Sequence, residues 1–246
     1  MIYFSPAKIN IGLQILEKRP DGFHNLQSVM HPVGLCDILE INSISTGTQN
    51  ILVSQSGLRF EADLEDNLCL KAWELLAGET SLPPVEMHLH KQIPIGAGLG
   101  GGSSNASHTL MGLNSLAENP LSKKRLAQLA EMLGSDCPFF LNTEAMMMEG
   151  RGEILSRVHL DLSGYYLVLL FPKIHISSAE AYRGVKPQVP EQELKELIQE
   201  PLDKWKDQIV NDFELSVLES YPQLKDLKEK LYESGALYAS LSGSGS

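Results

Sequence analysis

The chain has 246 residues, 43% hydrophobic and 21% charged, a balance that fits a folded globular protein and excludes disordered or collagen-like sequence. Its 31 acids outweigh its 20 bases, for a formal net charge of −11, so the basic footprint of a duplex nucleic-acid binder is missing. The longest strongly apolar run, Tyr165 to Phe171, is far too short to span a bilayer.

The opening M-I-Y-F-S-P-A-K lacks a basic region followed by a cleavable apolar core, so no secretory leader is expected. Ala7 to Glu17 then alternates, with Ile9, Ile11, Leu13 and Ile15 on one face and Lys8, Asn10, Gly12 and Gln14 on the other. This predicts a half-buried strand. R-P-D-G, Arg19 to Gly22, is a turn signal. Strand-like stretches follow at Ser28 to Val33, Asp37 to Ile41 and Ile51 to Ser54. A helix is expected after Asp66 as N-cap, with Leu68, Ala72, Leu75 and Leu76 at helical spacing and Gly78 at its end.

Val85, Met87 and Leu89 alternate with Glu86, His88 and His90 in a further strand, and two helices follow. The first has Ala106, Leu110, Leu113 and Ala117 on one face. The second is capped by Ser122 and stopped by Gly134. Ala145 to Glu149 and Glu153 to Leu155 read as a hairpin around G-R-G, and Tyr165 to Phe171 as a continuous buried strand. Helical segments are expected at Glu191 to Gln199, Leu202 to Glu219 and Leu224 to Ser234, and a last strand at Ala236 to Leu241. Strands followed by helices without strict alternation indicate an α+β fold, with a soft boundary near residues 157–163. Three isolated cysteines, Cys36, Cys69 and Cys137, fit a reducing, cytoplasmic compartment.

Four motifs carry chemistry. Pro94, Ile95, Gly96, Ala97, Gly98, Leu99, Gly100, Gly101, Gly102, Ser103 and Ser104 form a glycine-rich loop that opens a helix. Glycines let backbone N–H groups turn toward a ligand, and the helix N-terminus adds free donors, so the loop reads as a phosphate cradle. The Walker pattern is absent. Gly96-x-Gly98-x-x-Gly101 matches the dinucleotide letters, but a second helix stands where that fold needs a strand. P-A-K-I-N (Pro6 to Asn10) puts Lys8 and Asn10 on the non-core strand face, where position alone makes a lysine merely solvated. G-S-D-C-P-F-F (Gly134 to Phe140) holds Asp136 just past a helix C-terminus, an unfavourable place for an anion. D-G-F-H (Asp21 to His24) sets an aromatic ring beside a histidine, suited to a flat ring ligand. His88 and His90 have no third ligand nearby and read as surface residues. Met146 to Met148 read as core packing.

Taken in order along essentially the whole chain, these motifs, with E-G-R-G-E at Glu149 to Glu153, resemble the GHMP small-molecule kinases. The resemblance implies a two-domain GHMP-kinase fold. Residues 1–157 would form the N-terminal ATP-binding and catalytic domain, and residues 158–246 a C-terminal ferredoxin-like α/β sandwich that stops inside its last Gly-rich motif, S-G-S-G-S. It implies ATP-dependent phosphorylation of a small-molecule alcohol, with Mg²⁺. Lys8 and Asp136 match the family's catalytic pair: Asp136 would orient or deprotonate the attacking hydroxyl, and Lys8 would stabilise developing charge. Pro94 to Ser104 would hold the ATP phosphates, and Asn67 and Leu68 match a region near the adenine. Asn10 would touch the polyol or phosphate part of the acceptor. Phe23 and His24 match a cytosine site, with Tyr182 as the opposite wall, so the acceptor would be a cytidine diphosphate derivative. Phe23 stands where many members carry tyrosine. A homoserine, mevalonate or sugar kinase, or a non-catalytic nucleotide-binding module, are the competing readings. D-G-F-H and G-S-D-x-P argue against the other kinases, and the presence of both Lys8 and Asp136 against the non-catalytic module. No resident metal site, nucleic-acid partner or membrane is implied, and the chain would be a monomer or weak homodimer.

Overall fold

A computed structural model of the chain describes residues 1–45, 50–58, 67–174 and 176–243. Strands β1 (Ile2–Lys18), β2 (His24–Ser43) and β3 (Ile51–Gly57) come first. Helix α1 (Leu68–Ala77), strand β4 (Val85–Lys91), helices α2 (Gly101–Leu116) and α3 (Lys123–Leu133) and a 3-10 turn (Cys137–Leu141) follow. After strands β5 (Met146–Gly150) and β6 (Ile154–Arg157) come helices α4 (Ser178–Arg183), α5 (Leu194–Leu197), α6 (Trp205–Gln208), α7 (Glu214–Ser220) and α8 (Pro222–Glu233). The chain divides into two compact units that interleave in sequence. One holds Met1–Lys8, Pro32–Ile95 and Leu99–Thr143; the other holds Ile9–His31, Gly96–Gly98 and Glu144–Ser246.

In the first unit β4 is the organising strand. It runs antiparallel to the second half of β2, from Ile38 opposite His90 to Ser43 opposite Val85. It runs parallel to β3, from Ile51 opposite Val85 to Gly57 opposite Lys91. Val85, Met87 and Leu89 point inward as their alternation requires. With Leu39 and Ile41 they meet Ala72 and Leu76 of α1, Leu110 and Leu113 of α2, and Leu126 and Leu129 of α3 in one core. Side-chain caps start two of these helices: Asn67 accepts from the Cys69 N–H, and Ser122 from the Arg125 N–H. The expected cap Asp66 lies outside the described residues. Gly134 ends α3 in extended rather than left-handed geometry, at φ 163°. Gly112 sits inside α2 because a Cβ there would lie 2.6 Å from Ile41 Cδ1 and 2.8 Å from the Tyr3 ring.

In the second unit the first half of β2 pairs antiparallel with β5, Leu26 opposite Gly150 and Met30 opposite Met146. The expected hairpin forms between β5 and β6. Ile11, Val29, Met147, Leu194, Trp205 and Ile209 make its core, and all three consecutive methionines are buried.

Five expectations need correction. Ala7 to Ile15 is buried on both faces, so Lys8, Asn10 and Gln14 are interior polar residues rather than solvated ones. Residues 165–171 and 236–241 carry no ladder among the described residues, and Tyr166 is 99% exposed. Apolar, β-prone composition makes a strand only where a partner edge is in register. The helical stretch expected at 202–219 breaks into a 3-10 turn, α6 and α7. Residues 209–213 leave the helix because the Leu13 N–H donates to the Val210 carbonyl (3.0 Å) and the Asp212 N–H to the Leu13 carbonyl (2.8 Å). The helix expected at 191–199 shrinks to α5.

Leu110 is fully buried at the centre of the first core. Leu110→Ala should cost about 2–5 kcal/mol in denaturant unfolding; a loss below about 1 kcal/mol would show that the site collapses around the missing atoms.

Candidate active site

Lys8 ends the stretch of β1 that belongs to the first unit, and its backbone N–H donates to the Leu99 carbonyl at 2.9 Å. The strand therefore runs against the glycine-rich loop. The Lys8 side chain is buried, and its Nζ lies 3.4 Å from Asp136 Oδ2. Asp136 is 30% exposed, so it can meet both the lysine and an incoming solute. The unfavourable setting expected for this aspartate is corrected by the next turn of the chain. Asp136 stands at the N-terminal end of the Cys137–Leu141 turn, where partial positive charge favours a carboxylate. Ser107 of α2 fixes that turn by donating its hydroxyl to the Cys137 carbonyl at 2.7 Å.

The loop has the backbone a phosphate cradle needs. Gly96, Gly98 and Gly100 all have positive φ, which L side chains rarely adopt. A Cβ on Gly100 would lie 2.9 Å from the Phe140 ring and 3.1 Å from Lys8 Cγ, so Lys8 packs directly against the loop. Leu68 Cδ1 comes within 3.5 Å of where a Gly102 Cβ would stand, which brings the Asn67–Leu68 pair to the same place. Helix α2 begins at Gly100 with no side-chain cap, unlike α1 and α3. The Ser104 N–H bonds back to the Gly100 carbonyl at 2.8 Å, and the N–H groups before it have no acceptor within the helix. The Ser104 hydroxyl, in the same first turn, is buried without a partner. Open N–H groups beside an orphaned hydroxyl fit a polyphosphate, whose oxygens would accept from all of them.

The remaining expected residues lie in the second unit. Asn10 is buried, and its amide donates to Ser28 Oγ at 2.9 Å. Phe23 is an exposed ring, with the Arg151 guanidinium 5.1 Å from its centroid. His24 stacks on Tyr182 at 4.9 Å with 21° between planes. These two rings lie against each other, so Tyr182 braces the histidine expected as the polar edge of a slot between Phe23 and Tyr182. Phe213 in turn meets Tyr182 edge-on at 4.9 Å. The turn before them is held by Arg19, whose guanidinium beside Asp21 keeps that carboxyl below its usual range.

Motif reading missed a buried group next to the loop: Asp37, Lys91 and Asn105. A signal was present, because Asp37 is in phase with core residues Leu39 and Ile41, and Lys91 with Val85, Met87 and Leu89. Burial pushes the thiols of Cys69 and Cys137 up to about 11, which keeps them protonated and unreactive. Among the described residues no cluster of three His, Cys, Asp or Glu side chains could hold a metal ion, and no helix is long and apolar enough to cross a membrane.

Residues 67–144 match the family model for the GHMP kinase N-terminal domain, and residues 191–246 the model for the C-terminal domain. Over its whole length the chain is 46% identical to a 4-diphosphocytidyl-2-C-methyl-D-erythritol kinase from Bacteroides fragilis, covering 90% of that protein. The chain belongs to the GHMP kinase family. A kinase of the same description from Cytophaga hutchinsonii is 42% identical over all of this chain and 90% of its own. A crystal structure of 4-(cytidine 5'-diphospho)-2C-methyl-D-erythritol kinase superposes with a TM-score of 0.84, at 29% identity, over 100% of this GHMP kinase and 88% of that chain. A homoserine kinase from Cytophaga hutchinsonii, at 17% identity and a TM-score of 0.59 over 98% and 82%, shares the fold alone. The division expected at 157/158 falls in the stretch between the two family matches.

His108 lies one turn along α2, and its Nδ1 bonds the Ser104 carbonyl at 2.8 Å. Desolvation lowers its pKa from 6.5, so the folded GHMP kinase binds fewer protons here than the unfolded chain. Stability from this residue is present above pH 6.5 and is lost as pH falls below it toward the folded value. His108→Gln should flatten the decline in Tm between pH 7.5 and pH 5; an unchanged slope would show that other groups set it.

Proposed function

We propose that this GHMP kinase transfers a phosphoryl group from ATP to the 2-hydroxyl of 4-diphosphocytidyl-2-C-methyl-D-erythritol, a step of the non-mevalonate isoprenoid pathway. The observation that carries the chemistry is the Lys8–Asp136 pair, 3.4 Å apart and packed against Gly100 at the mouth of an uncapped helix. Full-length identity to kinases of that name supports the acceptor.

Bound ATP would supply the phosphoryl group, and Mg²⁺ held mainly by its phosphates would neutralise charge there. The chain's own residues do the rest. Pro94 to Ser104 present backbone N–H groups to the phosphates, and Asn67 and Leu68 flank the same loop. Asp136 accepts the proton of the attacking hydroxyl. Lys8 holds Asp136 in position and stabilises the negative charge that develops on the reacting oxygen. Asn10, already bonded to Ser28, orients the acceptor's polar part. Phe23 offers a ring face to the cytosine, and His24, braced by Tyr182, offers a hydrogen-bonding edge. Three unpaired cysteines are consistent with a cytoplasmic enzyme. A monomer or weak homodimer is the state we expect in light scattering.

The decisive experiment is ADP release from the purified chain with a panel of acceptors. Turnover should appear with the cytidine diphosphate substrate and be absent with homoserine, mevalonate and galactose; the reverse would reject this acceptor. Lys8→Met and Asp136→Asn should each lower kcat by roughly 10²-fold or more. Tm should stay nearly unchanged in Lys8→Met, because Asp136 reaches solvent, and fall in Asp136→Asn, because the buried Lys8 ammonium loses that carboxylate. Near-wild-type turnover in either variant would remove that residue from the mechanism. A site that bonds a base edge rejects the wrong edge strongly, so the uridine analogue should have a kcat/KM lower by roughly 10²-fold or more. His24→Ala should shrink that gap by harming the cytidine substrate, and equal wild-type values for the two would mean that the base is not read here.

A further inference from the structure

One buried carboxylate makes four contacts around the loop. Asp37 and Lys91 are 0% and 4% exposed, and the pairing of Ile38 with His90 brings them side by side on neighbouring strands. Asp37 Oδ2 takes the Lys91 ammonium, and accepts from the Asn105 amide at 2.9 Å. Asp37 Oδ1 accepts from the Gln92 N–H at 2.7 Å and the Ile93 N–H at 2.9 Å. Gln92 and Ile93 are the last residues before Pro94, where the glycine-rich loop begins. Asn105 lies in the first turns of α2, where the loop ends. The Lys91 ammonium itself sits under the start of that helix, 3.3 Å from where a Gly101 Cβ would stand, with Ile93 Cγ2 at 3.0 Å from the same point.

A core staple would not need this arrangement. Apolar residues of similar volume often replace a buried ion pair at no loss of stability. Nor are these groups open to a ligand, since all three are buried. Their common property is that Asp37 joins the strand entering the loop to the helix leaving it.

We infer that Asp37 is a positioning residue, clamping the two ends of the glycine-rich loop through the Gln92 and Ile93 N–H groups on one side and Asn105 on the other. The clamp sets the spacing at which the open N–H groups of α2 meet the phosphates. This rests on the reading that the loop holds ATP. Lys91 makes the carboxylate tolerable in the interior, and Gly101 leaves room for the ammonium.

Asn105→Ala is the mild test. It cuts the tie to α2 and leaves Asp37 with its charge partner and both backbone donors, so the fold should survive. The dissociation constant for a non-hydrolysable ATP analogue, measured by calorimetry, should rise roughly tenfold, because phosphate binding is lost steeply with misplaced donors. The acceptor KM should stay within about twofold, since Asn105 is not among the residues proposed to hold the acceptor. Asp37→Asn should weaken the analogue further, because two donors would then face a third. Asp37→Asn combined with Lys91→Met should recover most of the affinity. The Asn105 Oδ1 has no partner, so its amide can turn and accept from the new one. Lower Tm with unchanged analogue affinity in Asn105→Ala would overturn the clamp and leave a structural staple. A wild-type chain that binds no ATP analogue would reject the loop reading, and the clamp with it.

Discussion

A lysine taken out of water must find a counter-charge or give up its proton, because an unpaired buried charge costs several kcal/mol. The first unit buries two. Lys8 meets Asp136 and Lys91 meets Asp37, and the glycine-rich loop is built against both lysines: Lys8 Cγ lies against Gly100 and the Lys91 ammonium beneath Gly101. Each pair therefore constrains more than itself. The first holds the turn after α3 against β1, so Asp136 sits where a hydroxyl can be reached from solvent. The second holds the end of β4 against α2. The glycines between them are permissive in backbone, but the ends of the loop are not free to drift.

The two pairs differ in exposure, and this separates their roles. Asp136 keeps 30% of its side chain accessible, whereas Asp37 is wholly enclosed and surrounded by four donors. A group that must exchange a proton with a substrate needs a path to it. A group that must only hold geometry is better fully satisfied, because each of its hydrogen bonds is then strengthened by the low local dielectric.

Much of this was legible in the sequence where a short-range rule governs. Alternation placed Val85, Met87 and Leu89 in the core, Ser122 started α3 where its hydroxyl could cap it, and the glycine spacing marked the loop. Failure began where the outcome depends on register with distant chain. Lys8 and Asn10 alternate like solvated residues, yet both faces of β1 are covered. Tyr182 stacks on His24 from across 158 positions, and nothing local says that the two rings will meet. Residues 165–171 have the composition of a buried strand, yet find no partner edge among the described residues. Asp37 and Lys91 were half legible: phase put each on a core face, but only the antiparallel register of β2 and β4 makes them neighbours.

Helix α2 shows how these constraints converge. A helix packed into a core normally turns an apolar stripe inward, yet α2 buries Ser104, Asn105, Ser107 and Thr109 as well as Leu110 and Leu113. Three of those polar groups have definite partners. Asn105 reaches Asp37 beneath the loop, Ser107 reaches the Cys137 carbonyl beside Asp136, and Thr109 bonds back to the Asn105 carbonyl at 2.8 Å, within the helix. Ser104 alone keeps an unbonded hydroxyl, in the turn whose N–H groups are open. Apolar packing is non-directional and would let a helix slide by a fraction of a turn at modest cost, whereas a buried hydrogen bond lost by such a slide leaves a donor unpaired at about 1–3 kcal/mol. The polar face of α2 thus indexes the helix along its own axis, against Asp37 at one point and against the residue after Asp136 at the other. The end proposed to bind phosphate and the carboxylate proposed to accept the proton are held to one ruler.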